Sequence, residues 1–312
     1  MRTLLGLMLC LGTLLAFAGC GSGGDATEAT ATVTATATTA AEPGQGDGGR
    51  SDDRPPDATK LSAELDALGE RIGAQVGATI GPPGAPPLAL GSLQRGSAWS
   101  TIKVPIALQV IDEAGGVDGL SSEQSANITA AITRSDNDAA AALFDDLVAS
   151  HGGVAAASQA VTDLLREAGD EETVVATEGR DGFSSYGQTE WSLAAQQTFM
   201  GALLNGCISD RSGRQFILAQ MSQVSSDTWG LGSAGVPALW KGGWGPGTDG
   251  KYLVRQMGQI TVGGSDYAVT LAAIPADGSF ESGQSAATQV AQWLVDHAAD
   301  SNMGAAEPDP GC

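Results

Sequence analysis

The chain has 312 residues, 42% of them hydrophobic and 16% charged, enough to build a substantial core. Asp and Glu number 36 against 15 Lys and Arg, giving a formal net charge of −21. That balance excludes the basic stripe that a nucleic-acid binder needs and argues against electrostatic docking on anionic lipid.

In chain order, Met1-Arg2 is a short basic start, Leu4 to Phe17 an apolar run, and Ala18-Gly19 a small-residue pair before Cys20. This predicts a secretory signal over 1–19, too short for a comfortable spanning helix. Phe17-Ala18-Gly19-Cys20 resembles the bacterial lipobox. That resemblance implies a diacylated Cys20, an anchor in membrane lipid and a place on the extracytoplasmic face of the cell membrane. The alternative is an ordinary signal with a chance cysteine. Residues 20–57 are Gly, Ser, Thr, Ala, Asp and Pro with Val33 as the large apolar exception, and they predict a disordered tether reaching roughly 35 Å. Cys10 leaves with the signal, so Cys207 and Cys312 remain in an oxidising compartment, where a disulfide between them is expected.

The folded domain is expected over 58–301, followed by a tail at 302–312. Leu61, Leu65, Leu68 and Ile72 form the stripe of an amphipathic helix. Strand-like stretches follow at 76–80 and 88–93 across a Pro/Gly turn, then a densely helical region to about Val224. Tyr252–Val262 and Tyr267–Ile274 read as a hairpin across Gly263-Gly264-Ser265-Asp266, and 286–299 closes the chain as a helix. Terminal helices and a few strands around a helical middle predict an α/β (α+β) domain: an antiparallel sheet flanked by the terminal helices, with a helical subdomain beside it.

Three stretches carry chemistry. Ser100 and Lys103 stand three apart at the head of an apolar helical run, one turn apart on one face. A serine needs a neighbouring base to become a nucleophile, and a lysine kept neutral by burial can be that base. The alternative is a helix cap followed by a solvated lysine. In Ser135-Asp136-Asn137, Ser135 offers a proton relay and Asn137 an amide for a substrate carbonyl, although the same residues suit a turn or cap. In Lys241-Gly242-Gly243-Trp244 the lysine supplies positive charge and the Trp244 N–H a donor to an oxyanion; the alternative is a solvated lysine at a strand end.

Order and flanking residues together resemble the class A β-lactamase and penicillin-binding serine hydrolase signature, over about Leu61 to Ala299. The resemblance implies a β-lactamase/transpeptidase-like fold, Ser100 as nucleophile, Lys103 as base, Ser135 as relay, Asn137 as substrate contact and Lys241 as electrostatic group. It implies a cell-wall peptide, β-lactam or related amide or ester as substrate, and no cofactor. Three departures stand out. Glu178 lies near the place of the family's deacylating carboxylate, but Gly179-Arg180-Asp181-Gly182 follows it and the family pattern is absent. Gly242 replaces the family's Thr or Ser, leaving Gly242 and Gly243 along the substrate and Arg255 as a compensating substrate contact or an exposed strand arginine. Only 35 positions separate Ser100 from Ser135, which implies a more open groove.

Other schemes fail. His151 and His297 are the only histidines, no Gly-x-Ser-x-Gly elbow or Walker loop occurs, and no Cys/His cluster offers a metal site. The expectation is therefore a lipid-anchored serine hydrolase that is not an efficient β-lactamase. Its competitor is a catalytically degenerate module of the same fold that binds wall peptide or a protein partner.

Overall fold

The computed structural model describes residues 57–300. The signal, Cys20, the tether and the tail with Cys312 lie outside the described residues, so the lipid anchor and the Cys207–Cys312 pairing fall there too.

Helix α1 (Ala58–Ile72) starts at Asp57, whose carboxylate accepts from the Thr59 and Lys60 amides, and it ends at Gly73 in the left-handed conformation. Its stripe Leu61, Leu65 and Leu68 is buried. Strands β1 (Ala74–Gly81) and β2 (Leu88–Gly91) follow, then a short β3 (Arg95–Ser97). The chain next makes a 3₁₀ turn over Trp99–Ile102 that runs straight into α2 (Lys103–Glu113). Helices α3 (Ser122–Thr133), α4 (Asn137–His151) and α5 (Val154–Glu167) build the helical part. After β4 (Glu190–Ser192) come α6 (Leu193–Asn205), α7 (Arg211–Met221), strands β5 (Ala238–Pro246), β6 (Tyr252–Val262) and β7 (Ser265–Pro275), and α8 (Phe280–Asp300).

The main sheet has the order β2-β1-β7-β6-β5 with every neighbour antiparallel, and β3 and β4 form a separate two-stranded ribbon. One apolar core joins α1 and α8 to one face of the sheet through Leu65, Leu271, Val290 and Leu294. A second, centred on α2, gathers α3 to α7 with Met257 and Ala268 of the sheet. Helix α2 is buried on nearly all sides (Val104, Pro105, Ile106, Ala107, Leu108, Val110 and Ile111), which fits a sequence apolar all round. Pro105 lies in the first turn of α2, the part of a helix in which a proline ring is tolerated. The expected architecture of sheet, terminal helices and helical subdomain is the one observed.

Several boundaries differ from expectation: β1 is longer than 76–80, β2 ends at Gly91 rather than at 93, and two differences lie nearer the C-terminus. The hairpin turn is tighter, with Val262 opposite Ser265 and only Gly263-Gly264 between. Both glycines have positive φ, 60° and 88°, as a two-residue turn matching strand twist demands. Helix α8 begins at Phe280, because Ser279 accepts from the Ser282 amide and caps it earlier than the apolar pattern suggests. Among the described residues no helix is long and apolar enough to cross a membrane.

Candidate active site

The three sequence stretches meet in one cavity of about 440 Å³, lined by Ser100, Lys103, Ser135 and Asn137 with Trp99, Phe183, Tyr186, Trp244 and Tyr252. Ser100 sits in the 3₁₀ turn, where positions three apart eclipse, and its carbonyl accepts from the Lys103 amide. Trp99 just before it is held at a φ of +49°, an uncommon conformation for a bulky residue. Strand β5 approaches this turn so closely that a methyl group on Gly243 would come within 2.9 Å of the Ser100 nitrogen. Gly245 makes way for the Trp99 indole, which a side chain there would meet at 2.4 Å. These glycines bring the Lys241 strand against the Ser100 turn.

Ser135 lies between α3 and α4 with a φ of +56°, while Asp136 caps α4 by accepting from the Ala139 amide. The turn-and-cap reading of Ser135-Asp136-Asn137 is thus realised, and Ser135 and Asn137 also line the cavity. Ser135 also stands between two lysines: its hydroxyl receives Lys241 Nζ at 2.8 Å and its carbonyl receives Lys103 Nζ at 2.7 Å. Lys103 Nζ further donates to Asn137 Oδ1 at 2.8 Å and to the Asp136 carbonyl at 3.2 Å.

Lys103 is buried, and that desolvation, followed by the nearby Lys241 charge, lowers its pKa from 10.5 to about 7, with Asp227 and Asp136 opposing. Helical spacing predicts a Ser100–Lys103 contact; the structure differs. No hydrogen bond among the described residues reaches Ser100 Oγ, and the three Nζ donors point to the Ser135–Asn137 segment. A neutral amine has only two N–H groups, so deprotonation frees a lone pair at the cost of the longest bond, that to Asp136.

Lys241 is fully buried rather than solvated, and burial lowers its pKa while Asp227 raises it. Its partners are Ser135 Oγ, the Gly242 carbonyl at 2.8 Å and Asp227 Oδ2 at 3.3 Å. Sequence reasoning missed Asp227, and no spacing announces it. The backbone carbonyl of Asp227 accepts from Trp240 Nε1 and Gln256 Nε2, which fix the loop carrying the carboxylate. The same carboxylate explains Gly242, since a Cβ there would meet Asp227 Oδ2 at 2.7 Å.

Arg255 corrects the expectation of a substrate contact. Its side chain is wholly buried and donates to the carbonyls of Gly96, Ser97 and Trp191 and to Gln196 Oε1. It fastens the β3–β4 ribbon and α6 to β6. Burial lowers its pKa from 12.5 to about 10, still well above neutral pH, so it remains a cation. Glu178 is exposed and does not line the cavity. Trp244 lines the cavity, with its indole stacked on Phe280 at 5.3 Å. Arg180, in the loop after Glu178, was also unforeseen. It donates to Gln188 Oε1 and to the carbonyls of Pro246 and Gly247, and lies over the rings of Trp99 and Phe183. It therefore ties this loop to the end of β5.

These features define a β-lactamase-like fold. Among solved structures the chain is similar to the TLA-3 extended-spectrum β-lactamase, at 14% identity and a TM-score of 0.63, over 77% of this chain and 99% of that one. It is similar to the β-lactamase of Sphaerobacter thermophilus, at 20% identity and a TM-score of 0.58, over 77% and 96%. It is also similar to a class A β-lactamase representative from Bacteroides cellulosilyticus, at 13% identity and a TM-score of 0.63, over 79% and 99%. No family model and no curated protein matches the sequence.

Proposed function

We propose that the protein is a lipid-anchored, extracytoplasmic serine hydrolase that forms an acyl-enzyme at Ser100 on an amide or ester. The observation that carries this reading is the gathering of Ser100, Lys103, Ser135 and Lys241 around one cavity, with Lys103 brought to about 7 by burial and a second lysine. Neutral Lys103 takes the proton from Ser100 Oγ as the oxygen attacks the carbonyl carbon. Backbone N–H groups of the Ser100 turn and of Trp244 receive the negative oxygen. Ser135, hydrogen-bonded to Lys241, passes a proton to the leaving group. Cell-wall peptides and β-lactams are the substrates that the resemblance implies, and the solved β-lactamases of this fold support the acyl-transfer class. With Glu178 outside the cavity, no dedicated base for deacylating water is assigned, and efficient β-lactam turnover is not part of the proposal.

The competing reading, a binding module that keeps the fold, draws on one observation: Ser100 Oγ has no hydrogen bond to Lys103. Intact mass of the purified domain after exposure to a penicillin and to a fluorophosphonate separates the two. The hydrolase gains the mass of at least one probe on Ser100; the binding module stays unmodified by both.

A further inference from the structure

The backbone that leads into the Ser100 turn is held by one buried hydrogen-bond network that the reaction steps above leave unused. Trp99 takes a φ of +49°, a conformation that costs free energy for a bulky side chain and persists only where its surroundings over-determine it. The three carbonyls just before it all find donors in the same place. Those of Gly96 and Ser97 accept from Arg255 Nη1, at 2.7 and 3.2 Å. That of Ala98 accepts from the Thr101 hydroxyl at 2.6 Å and from the Thr101 amide at 3.2 Å. On the other side of the turn β5 presses close, with a Cβ on Gly243 only 2.8 Å from the same Ala98 oxygen.

Gln196 of α6 links the two halves of this network. Its Oε1 accepts from Arg255 Nη2 at 2.8 Å, and its Nε2 donates to Thr101 Oγ1 at 2.8 Å. Arg255, Gln196 and Thr101 are all fully buried. The direction of donation is fixed by chemistry. A guanidinium only donates, so it takes Gln196 Oε1 and leaves Nε2 to face Thr101. With its oxygen accepting from Gln196, Thr101 keeps its single hydroxyl proton for the Ala98 carbonyl. A carboxamide supplies both the acceptor for the arginine and the donor for the threonine; a carboxylate of the same shape supplies only the first.

Resting on the serine-hydrolase reading above, we propose that Gln196 is a positioning residue for Ser100. Braced by Arg255, it orders the Thr101 hydroxyl against the Ala98 carbonyl and so holds Trp99 and Ser100 in the conformation that turns Ser100 into the cavity. Ser100 lines that cavity, whereas Gln196, Thr101 and Arg255 do not. Gln196 therefore acts through the turn and touches no substrate. Its contribution falls on the rate of attack by Ser100 and not on binding.

The test follows fluorophosphonate labelling of Ser100 over a range of probe concentrations, with urea unfolding and circular dichroism on the same preparations. Gln196→Glu is the decisive variant. It keeps the shape and gives Arg255 a carboxylate partner, so stability should hold at or above wild type. It also removes the donor to Thr101 and draws the hydroxyl proton away from Ala98. The limiting labelling rate should fall about ten- to a hundredfold, while the half-saturating probe concentration stays unchanged. Thr101→Val should lose rate to a similar extent, and Thr101→Ser, which restores the hydroxyl, should recover most of it. A purely structural contact predicts the opposite: rate follows stability, and folded Gln196→Glu labels as fast as wild type. That result, with wild type labelled at Ser100, overturns the positioning proposal and leaves the hydrolase reading standing. Should Gln196→Glu not fold, the Thr101→Val and Thr101→Ser pair decides on the same criterion. If folded wild type is not labelled at Ser100, both readings fall together.

Discussion

Lys103 draws its chemistry from where α2 begins. Its Nζ lies under the α3–α4 junction among acceptors that suit an ammonium, while burial and Lys241 favour the neutral amine. The neutral form grows as pH rises, so acylation of Ser100 should increase through about pH 7 and level off above it. An ordinary lysine would keep the rate climbing toward 10.5. A pH profile of fluorophosphonate labelling, with circular dichroism at each pH to confirm folding, checks this. Gly243 is a second test at this scale. A methyl there meets the backbone at Ala98 O, Ser100 N and Thr101 N, at 2.8, 2.9 and 3.0 Å. Gly243→Ala should cost about 1–3 kcal/mol in urea unfolding and slow labelling, because β5 must retreat from the nucleophile turn. Glu178→Gln should leave labelling and ester turnover unchanged, since this carboxylate is exposed away from the cavity. A chromogenic cephalosporin turned over rapidly by wild type and lost on that substitution would show that Glu178 reaches the acyl-enzyme.

At the scale of elements, Arg255 joins the ribbon to the sheet, and its removal is a fold effect rather than a substrate effect. Arg255→Met would strip donors from the buried Trp191 carbonyl and Gln196 and from the half-buried Gly96 and Ser97 carbonyls. It should lower stability by several kcal/mol, at about 1–3 per unsatisfied buried group, with KM for surviving protein little changed. Equilibrium unfolding and steady-state kinetics on the same preparation check both halves. The expected Cys207–Cys312 bridge belongs here as well; closing so long a loop would contribute about 4–5 kcal/mol in the chain-entropy model. Non-reducing peptide mapping should recover the two cysteines in one linked peptide, and free alkylation of both would contradict it. Elements with a local signal of their own were legible beforehand: Leu61, Leu65 and Leu68 marked α1, and the Gly263-Gly264 turn between two strand-like stretches marked β6 and β7. The β3–β4 ribbon was not, because two three-residue strands hold no period of their own and owe their pairing to neighbours such as Arg255. The same distinction divides the site. Ser100, Lys103, Ser135 and Lys241 were found because each sits in a short motif. Asp227 and Arg180 act through tertiary contacts, with Lys241 and with the Pro246 carbonyl, that no local pattern encodes.

For the molecule as a whole, the sheet and the helical part are two cores that meet along β5 and the Ser100 turn, and the candidate site lies on that seam. Glycines at 243 and 245 allow the close approach there, so the positioning of Ser100 depends on both cores being folded. The chain's charge of −21 argues against electrostatic attraction to anionic lipid, so the membrane attachment proposed above rests on Cys20. If Cys20 carries that lipid, Cys20→Ala should move the protein from the detergent phase to the aqueous phase in phase partitioning. The central claim is that Ser100 is a nucleophile activated by Lys103, and the rate of fluorophosphonate labelling with the tagged peptide sequenced tests it most directly. Wild type should be tagged at Ser100, Lys103→Ala should lose about two to four orders of magnitude in rate while remaining folded, and Ser100→Ala should not be tagged. A folded wild-type domain that stays unlabelled, or a Lys103→Ala variant labelled as fast as wild type, would contradict the account.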